Sequence, residues 1–392
     1  MIDLQKYGFR EQDQQVYDMV YRYSRDELYQ LSEKMDNDDW FPEEAYRKMA
    51  DVGLLGLTVP EEYGGPGMDL FAQAFACEAM SVWNHTMAGN YLASDNLCVN
   101  NILRNASDDL KKKYLPRLCD GSAIGALGLT EPGAGSDALG SMATTAKREG
   151  DHYILNGRKM FITNGPVADV LLVYAKTAPE KGAHGISAFI IEKDFPGFSV
   201  AQKLVKMGWR GSETGELVFD DCKVPVANLV GKENDGVEIV MSGLDIERVV
   251  LCSHAIGISQ RALEISVEYA KTRQQFKKPI ATFQMVQSML ADMYTDLELM
   301  RCLTYQLLKE IKDLEQGGGG RGEIHMRSAA AALHAGRACM RILDQGVQIH
   351  GGMGFMWESE INRLYRTGKI LEIGAGTNEV RKLIIAGELL KQ

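Results

Sequence analysis

The sequence predicts an α+β fold, mostly α, ordered as helical bundle, β domain, helical bundle. Three observations predict it. Apolar residues recur at helical spacing through residues 1–120. Short apolar runs broken by turns replace them over residues 121–230, and the helical period returns over residues 231–392. Each change of period marks a change of domain.

In the first block the helical pattern is interrupted at Thr58-Val59-Pro60-Glu61-Glu62-Tyr63-Gly64-Gly65-Pro66-Gly67, a Pro/Gly-rich connection. In the second, His152–Leu155 and Lys159–Ile162 flank Asn156-Gly157, the dipeptide most typical of a two-residue hairpin turn. Residues 170–174, 186–191 and 216–219 continue the strand series. In the third, Val286, Met289, Leu290, Met293, Leu297, Met300, Leu307, Leu308, Ile311 and Leu314 form one long stripe. A helix that long needs partners along its length, which implies a bundle. Gln316 to Gly322 reads as a helix–helix connection, since four consecutive glycines do not hold a helix.

Composition limits the functions open to the chain. Its 392 residues are 45% hydrophobic and 24% charged, as in a soluble globular protein with ample core. The 43 Lys+Arg against 53 Asp+Glu give a net charge of −10, so no global field draws in nucleic acid. The start of the chain lacks the pattern of a secretory or transit segment, and no apolar run approaches the ~18 residues that cross a bilayer. Seven cysteines without a C-x-x-C pair read as reduced thiols, and a cytoplasmic location is expected. The seven histidines include no H-E-x-x-H, so a metal site is not expected. The 19 methionines read as core and Lys111-Lys112-Lys113 as a solvated helix face.

Neither Pro132-Gly133-Ala134-Gly135-Ser136-Asp137 nor Gly351-Gly352-Met353-Gly354 completes G-x-G-x-x-G, and neither lies in a βαβ unit. A nucleotide here needs another architecture. Gly128–Asp137 (GLTEPGAGSD) resembles the first signature of the acyl-CoA dehydrogenase flavoproteins, and Gln348–Phe355 (QIHGGMGF), followed by Arg363 and Arg366, resembles the second. Between them, Phe161-Ile162-Thr163-Asn164 is similar to the family's W-I-T/S-N, and Arg273-Gln274-Gln275-Phe276 to its R-x-x-F.

The resemblance implies a middle β-barrel domain between the two bundles, FAD as cofactor, an acyl-CoA substrate, electron-transferring flavoprotein as partner, and a homotetramer. Leu127, Thr130, Gly135 and Ser136 would line the flavin, with Phe161 and Thr163 flanking its ring. Arg273, Phe276, Gln284, Gln348, Gly351, Gly352, Thr377 and Glu379 would hold the adenosine half, some of them from a neighbouring subunit. Beside the glycine pair, His350 reads as a packing or interface residue.

The catalytic base separates branches of this family. Abstracting an α-proton while hydride leaves the β-carbon requires one placed carboxylate. Most members carry it in Tyr-Glu-Gly-Thr; here the segment is Gly374-Ala375-Gly376-Thr377, and the glutamate is absent. Glu247 offers a replacement, three residues after Leu244 and four before Leu251 on the inward face of a predicted helix. Burial there would raise its pKa toward that of a general base. The plain alternative is a structural carboxylate paired with Arg248 or another cation. The isovaleryl-CoA dehydrogenase branch has its base at the matching position and the same Gly-Ala-Gly-Thr.

By the same resemblance, the Ala375 N–H donates to the thioester oxygen, and Ser136, Asp245, Arg248, Gly374 and Gly376 adjoin the substrate. Small residues at 374 and 375 leave volume for a branched or cyclic acyl group. Three positions depart from the branch: Asp95 places a carboxylate where the acyl tip is expected, Glu238 replaces a tyrosine, and Ala183-His184 replaces Ser-Arg. For Asp95 a surface or capping role, a polar contact to the acyl group, and a second base all remain open. The expectation is α,β-dehydrogenation of a short branched or cyclic acyl-CoA. The alternatives are an alicyclic, aryl-substituted or dicarboxylic substrate, in either redox direction, using Asp95, or a catalytically silent flavoprotein subunit.

Overall fold

A computed structural model describes residues 2–312 and 320–391. Seven helices come first: α1 Glu11–Tyr23, α2 Ser32–Asp38, α3 Glu43–Arg47, α4 Leu70–Trp83, α5 His85–Tyr91, α6 Asn100–Asn105 and α7 Asp108–Cys119. Every residue of α4 from Leu70 to Val82 is buried, so it is the axis of this bundle. Asp69 caps it, its carboxylate accepting the N–H groups of Phe71 and Ala72. Between α5 and α6 the backbone widens into π-helical turns over Leu92–Val99, which carry Asp95.

The middle block is one mixed sheet: β1 Gly125–Gly128, β2 Thr145–Glu149, β3 His152–Thr163, β4 Val170–Lys176, β5 Ile186–Glu192, β6 Phe198–Lys203, β7 Thr214–Pro225 and β8 Leu229–Val230. The strand order is β6-β7-β3-β2-β4-β5-β8, with β1 parallel to β4. Leu171, Val173 and Ala175 of β4 face Leu155, Leu217 and Phe219 in a barrel-like core. The alternate residues Val170, Leu172 and Tyr174 pack on Ile102, Leu115 and Leu118 of the helices. That double burial makes residues 170–175 an unbroken apolar run.

The predicted hairpin at Asn156-Gly157 is not a turn. β3 runs straight through it, and the turn lies at Gly150-Asp151, between β2 and β3. Asn156-Gly157 is instead an irregularity in the β3–β7 register. A Cβ on Gly157 would sit 2.4 Å from the Thr144 hydroxyl, so glycine serves close approach here, not chain reversal.

The third block is a bundle built on α8 Gly236–Thr272, with α9 Gln284–Lys312, α10 Gly322–His350, α11 Gly352–Phe355, α12 Glu360–Gly368 and α13 Asn378–Leu389. A short hairpin of β9 Gln274–Gln275 and β10 Lys278–Pro279 links α8 to α9. On α9 the stripe Met293, Leu297, Met300, Leu307, Leu308 and Ile311 is buried. Leu314 and the glycines 317–319 of the expected connection lie outside the described residues. One apolar cluster joins α1, α4, α8, α9 and α10, so the two bundles share a core and α8 is its common wall.

Candidate active site

The glycine-rich segment 128–137 leaves the end of β1 and lies against β3. The Met160 N–H donates to the Thr130 carbonyl at 2.8 Å. Beneath the loop, Lys159 is wholly buried and pairs with Glu131 at 2.8 Å, also donating to the Leu129 carbonyl. Glu131 accepts the N–H groups of Ala143 and Thr144 as well. The loop is therefore pinned from below while its outer face stays open. Nothing stands within 4 Å of a Cβ built on Gly133 or Gly135, Ser136 is exposed, and Leu127 and Thr130 are half-buried.

Phe161 stands beside this loop with φ +62°, on a break in the β3–β7 register, and 66% of its surface is exposed. A bulky aromatic in the left-handed region and turned outward costs stability. Thr163, two residues on, is half-buried. An open glycine loop, two half-buried threonines and an exposed ring make one face with the chemistry to hold a flavin and its pyrophosphate.

Glu247 projects from α8 and is 9% exposed. Its Oε1 accepts from Asn101 Nδ2 at 2.8 Å and from Arg104 Nη2 at 3.3 Å, both on α6. The cation it meets is thus Arg104, not Arg248. Burial pushes its carboxyl above the ordinary glutamate value, opposed by Arg104, Asn101 and Arg248. No sequence motif singles out Arg104 or Asn101. The available signal was Gly243, a helix-interior glycine one turn before Glu247.

Asp245 and Arg248, expected at the substrate, are each 3% exposed. The carboxylate of Asp245 takes the Ser328 hydroxyl, the Gly320 N–H and His325. Arg248 lies 3.4 Å from Asp245. Glu238 is exposed in the first turn of α8, and His184 is exposed in the turn 179–185 packed against that helix. The Asn234 N–H donates to the Ser187 hydroxyl and fixes this junction.

The segment Gly374-Ala375-Gly376 precedes α13. Arg381, fully buried, donates to the carbonyls of Leu371 at 2.8 Å and Gly374 at 2.9 Å and so shapes the turn. Ala375 has φ +53° and is exposed, leaving its N–H clear of any helix. Thr377 caps α13 through Val380 N–H, and Glu379 is exposed in its first turn.

Asp95 departs from one expectation: it is no surface residue, being 1% exposed. Its Oδ1 accepts the Gly56 N–H at 2.5 Å, so it caps the loop before α4. It shares no hydrogen-bond partner with Glu247, and burial raises its carboxyl to about 8.

Arg273, Phe276, Gln284, Gln348, Gly351 and Gly352 are all exposed. The ring of Tyr269 stacks on His350 at 4.3 Å, which brings the ends of α8 and α10 together and gives His350 a packing role. Thr377 and Glu379 lie elsewhere: Arg381 of their helix reaches the Ala332 carbonyl, about 24 Å along α10 from Gln348. On α8, Arg273 is about 39 Å from Glu247. One chain therefore presents the residues expected at the adenosine half at two separate places.

A three-domain chain with a buried carboxylate on the helix shared by both bundles, and an open glycine loop leaving its sheet, defines a class. The chain matches the acyl-CoA dehydrogenase N-terminal domain over residues 10–122, the middle domain over 126–222 and the C-terminal domain over 234–390. It belongs to the acyl-CoA dehydrogenase family, oxidoreductases acting on the CH–CH group of acyl-CoA. It is 43% identical to 2-methylacyl-CoA dehydrogenase, mitochondrial, of Solanum tuberosum, covering 95% of this chain and 89% of that one. Isovaleryl-CoA dehydrogenase, mitochondrial, of the same plant is 42% identical, covering 98% and 92%. The structure of butyryl-CoA dehydrogenase from Megasphaera elsdenii superposes with a TM-score of 0.92 at 36% identity, covering 97% and 99%. Among the described residues no helix is long and apolar enough to cross a membrane.

Proposed function

We propose that the chain removes hydrogen from the α and β carbons of a short branched or cyclic acyl-CoA, with Glu247 as base and FAD as cofactor. The carrying observation is the pairing of two facts. On α8, Glu247 is a buried carboxylate held by two donors from α6, and residues 373–377 contain no carboxylate. The named substrates of the relatives, 2-methylacyl-, isovaleryl- and butyryl-CoA, support a short acyl chain.

FAD, when bound, supplies at N5 the acceptor for the β-hydride. Leu127, Thr130, Gly135 and Ser136 would hold it from one side, with Phe161 and Thr163 against its ring. Glu247 takes the α-proton, and the exposed Ala375 N–H donates to the thioester oxygen as it gains negative charge. Ser136, Gly374, Gly376, Glu238 and His184 would line the route of the CoA thioester, with Asp245 and Arg248 buried on the helix that carries Glu247.

The distance of Arg273 along α8 from Glu247 supports a role for it and Gln348 toward a second copy, and a homotetramer belongs to this reading. Phe276, Met285, Phe355, Leu383 and Leu390, each at least 72% exposed on the C-terminal block, support burial between copies. Electron-transferring flavoprotein is the proposed electron acceptor.

The test is anaerobic bleaching of the bound flavin by isovaleryl-CoA. Wild type bleaches and Glu247→Gln does not. Bleaching retained in that variant removes Glu247 from its role. A panel of straight, branched, alicyclic and dicarboxylic acyl-CoAs then ranks the acyl group.

A further inference from the structure

Glu247 is gripped on one oxygen. Asn101 and Arg104 stand three residues apart on α6, so both reach the same point, Oε1. Among the described residues Oε2 makes no hydrogen bond, which leaves it as the oxygen able to receive a proton. The grip has a steric precondition on the opposite helix. Gly243 lies one turn before Glu247, and a Cβ there would come 1.8 Å from Arg104 Nη2 and 2.6 Å from Glu247 Oε1. A glycine inside a helix costs helix stability, and here its missing side chain is the space the guanidinium occupies.

We propose that Arg104 is a positioning residue for the reaction: admitted by Gly243 and backed by Asn101, it fixes Glu247 through Oε1 and presents Oε2 to the substrate α-carbon. The proposal rests on Glu247 being the base. Three groups besides Asn101 face that carboxylate: Arg104 from α6, Arg248 from its own helix and the Tyr174 phenol from β4. Arg248 is engaged by the Asp245 and His325 cluster, and burial keeps Tyr174 neutral. Arg104 is the cation in direct contact.

Removing an adjacent cation from a buried carboxylate raises its pKa by about 1–3. The experiment is the rate of flavin bleaching by isovaleryl-CoA across roughly pH 5 to 9. In Arg104→Met the acid limb moves up by about one pH unit or more and the limiting rate falls at least about tenfold, with a smaller change in the half-saturating substrate concentration. Arg104→Lys returns the limb toward wild type but not the full rate, since lysine restores charge without the fork. Gly243→Ala displaces the guanidinium tip and reproduces the shifted limb while keeping the far-ultraviolet circular dichroism of wild type. An unmoved acid limb in both Arg104→Met and Gly243→Ala, with Glu247→Gln inactive, overturns the role of Arg104 alone. Bleaching by Glu247→Gln overturns the base assignment itself.

Discussion

Lys159 lies 2.8 Å from Glu131, and neither side chain reaches solvent appreciably. Burial pushes the lysine down to about 8, against the pull of Glu131, so the pair is ionised at neutral pH. Breaking a buried pair by removing one partner leaves the other charge uncompensated and costs about 3–5 kcal/mol. Lys159→Met is expected to lose stability on that scale in urea unfolding and to release flavin more readily. Glu131→Gln combined with Lys159→Met should lose less than the two single losses added, because the double variant strands no charge. Simple additivity would mean that the pair does not hold the loop.

Phe161 supplies the opposite case, a residue whose conformation costs folding stability. With φ +62° and most of its ring exposed, it gains little from packing in the protein alone. Glycine tolerates that φ without strain, so Phe161→Gly is expected to unfold no earlier than wild type, within about 1 kcal/mol, when flavin is absent. The same variant should retain less flavin, read as the ratio of visible to protein absorbance after gel filtration. A large loss of stability with unchanged flavin content would make Phe161 a packing residue.

Much of this was legible in the sequence, for reasons that differ by element. The block order followed from hydrophobic period, and β4 and β5 from apolar runs buried on both faces. β1, β2 and β6 gave no such run: Gly125–Gly128 is only four residues long, Thr145–Glu149 is mostly exposed beyond Ala146, and Phe198–Lys203 has no buried position. Asn156-Gly157 misled because a close approach to Thr144 uses glycine as readily as a turn does. Glu247 was legible from its place on an apolar face, but Arg104 was not, because its partner lies 143 residues away. Glu131 sits in a recognisable motif and Lys159 two residues before another, yet only the packing of one segment on the other shows that they meet.

Trp209 is a further long-range contact hidden from sequence. Its indole lies where a Cβ on Gly89 would be, 1.9 Å from its nearest atom, and stacks on His254 of α8 at 5.6 Å. Its backbone N–H donates to the Thr367 hydroxyl, so one residue of the β domain wedges between both bundles. Trp209→Ala removes the wedge and is expected to cost about 3–5 kcal/mol. Gly89→Ala overfills the same place and is expected to cost about 1–3 kcal/mol, with a change in tryptophan emission. If Gly89→Ala is neutral in unfolding and emission, the indole does not rest on this helix.

Asp95 gives the pH-dependent prediction. Its carboxyl is raised from 3.8 to about 8 by burial, with the Gly56 N–H opposing. The folded state therefore holds this proton more tightly than the unfolded chain. The stability it lends is complete below about pH 4 and is lost as pH climbs through about 8. A tenfold difference in proton affinity between the two states corresponds to about 1.4 kcal/mol, so the loss from acid to alkaline pH amounts to a few kcal/mol. The amide in Asp95→Asn would keep an oxygen that accepts from Gly56 and would never ionise. The variant should match wild type near pH 4 and exceed it near pH 8.5 in urea unfolding, with the gap widening between. A gap that does not change with pH would show that Asp95 is already ionised in the folded protein. The same variant weighs the residue's part in catalysis: an unchanged ranking of alicyclic against branched acyl-CoAs leaves Asp95 a cap on Gly56, whereas a changed ranking brings it to the acyl group.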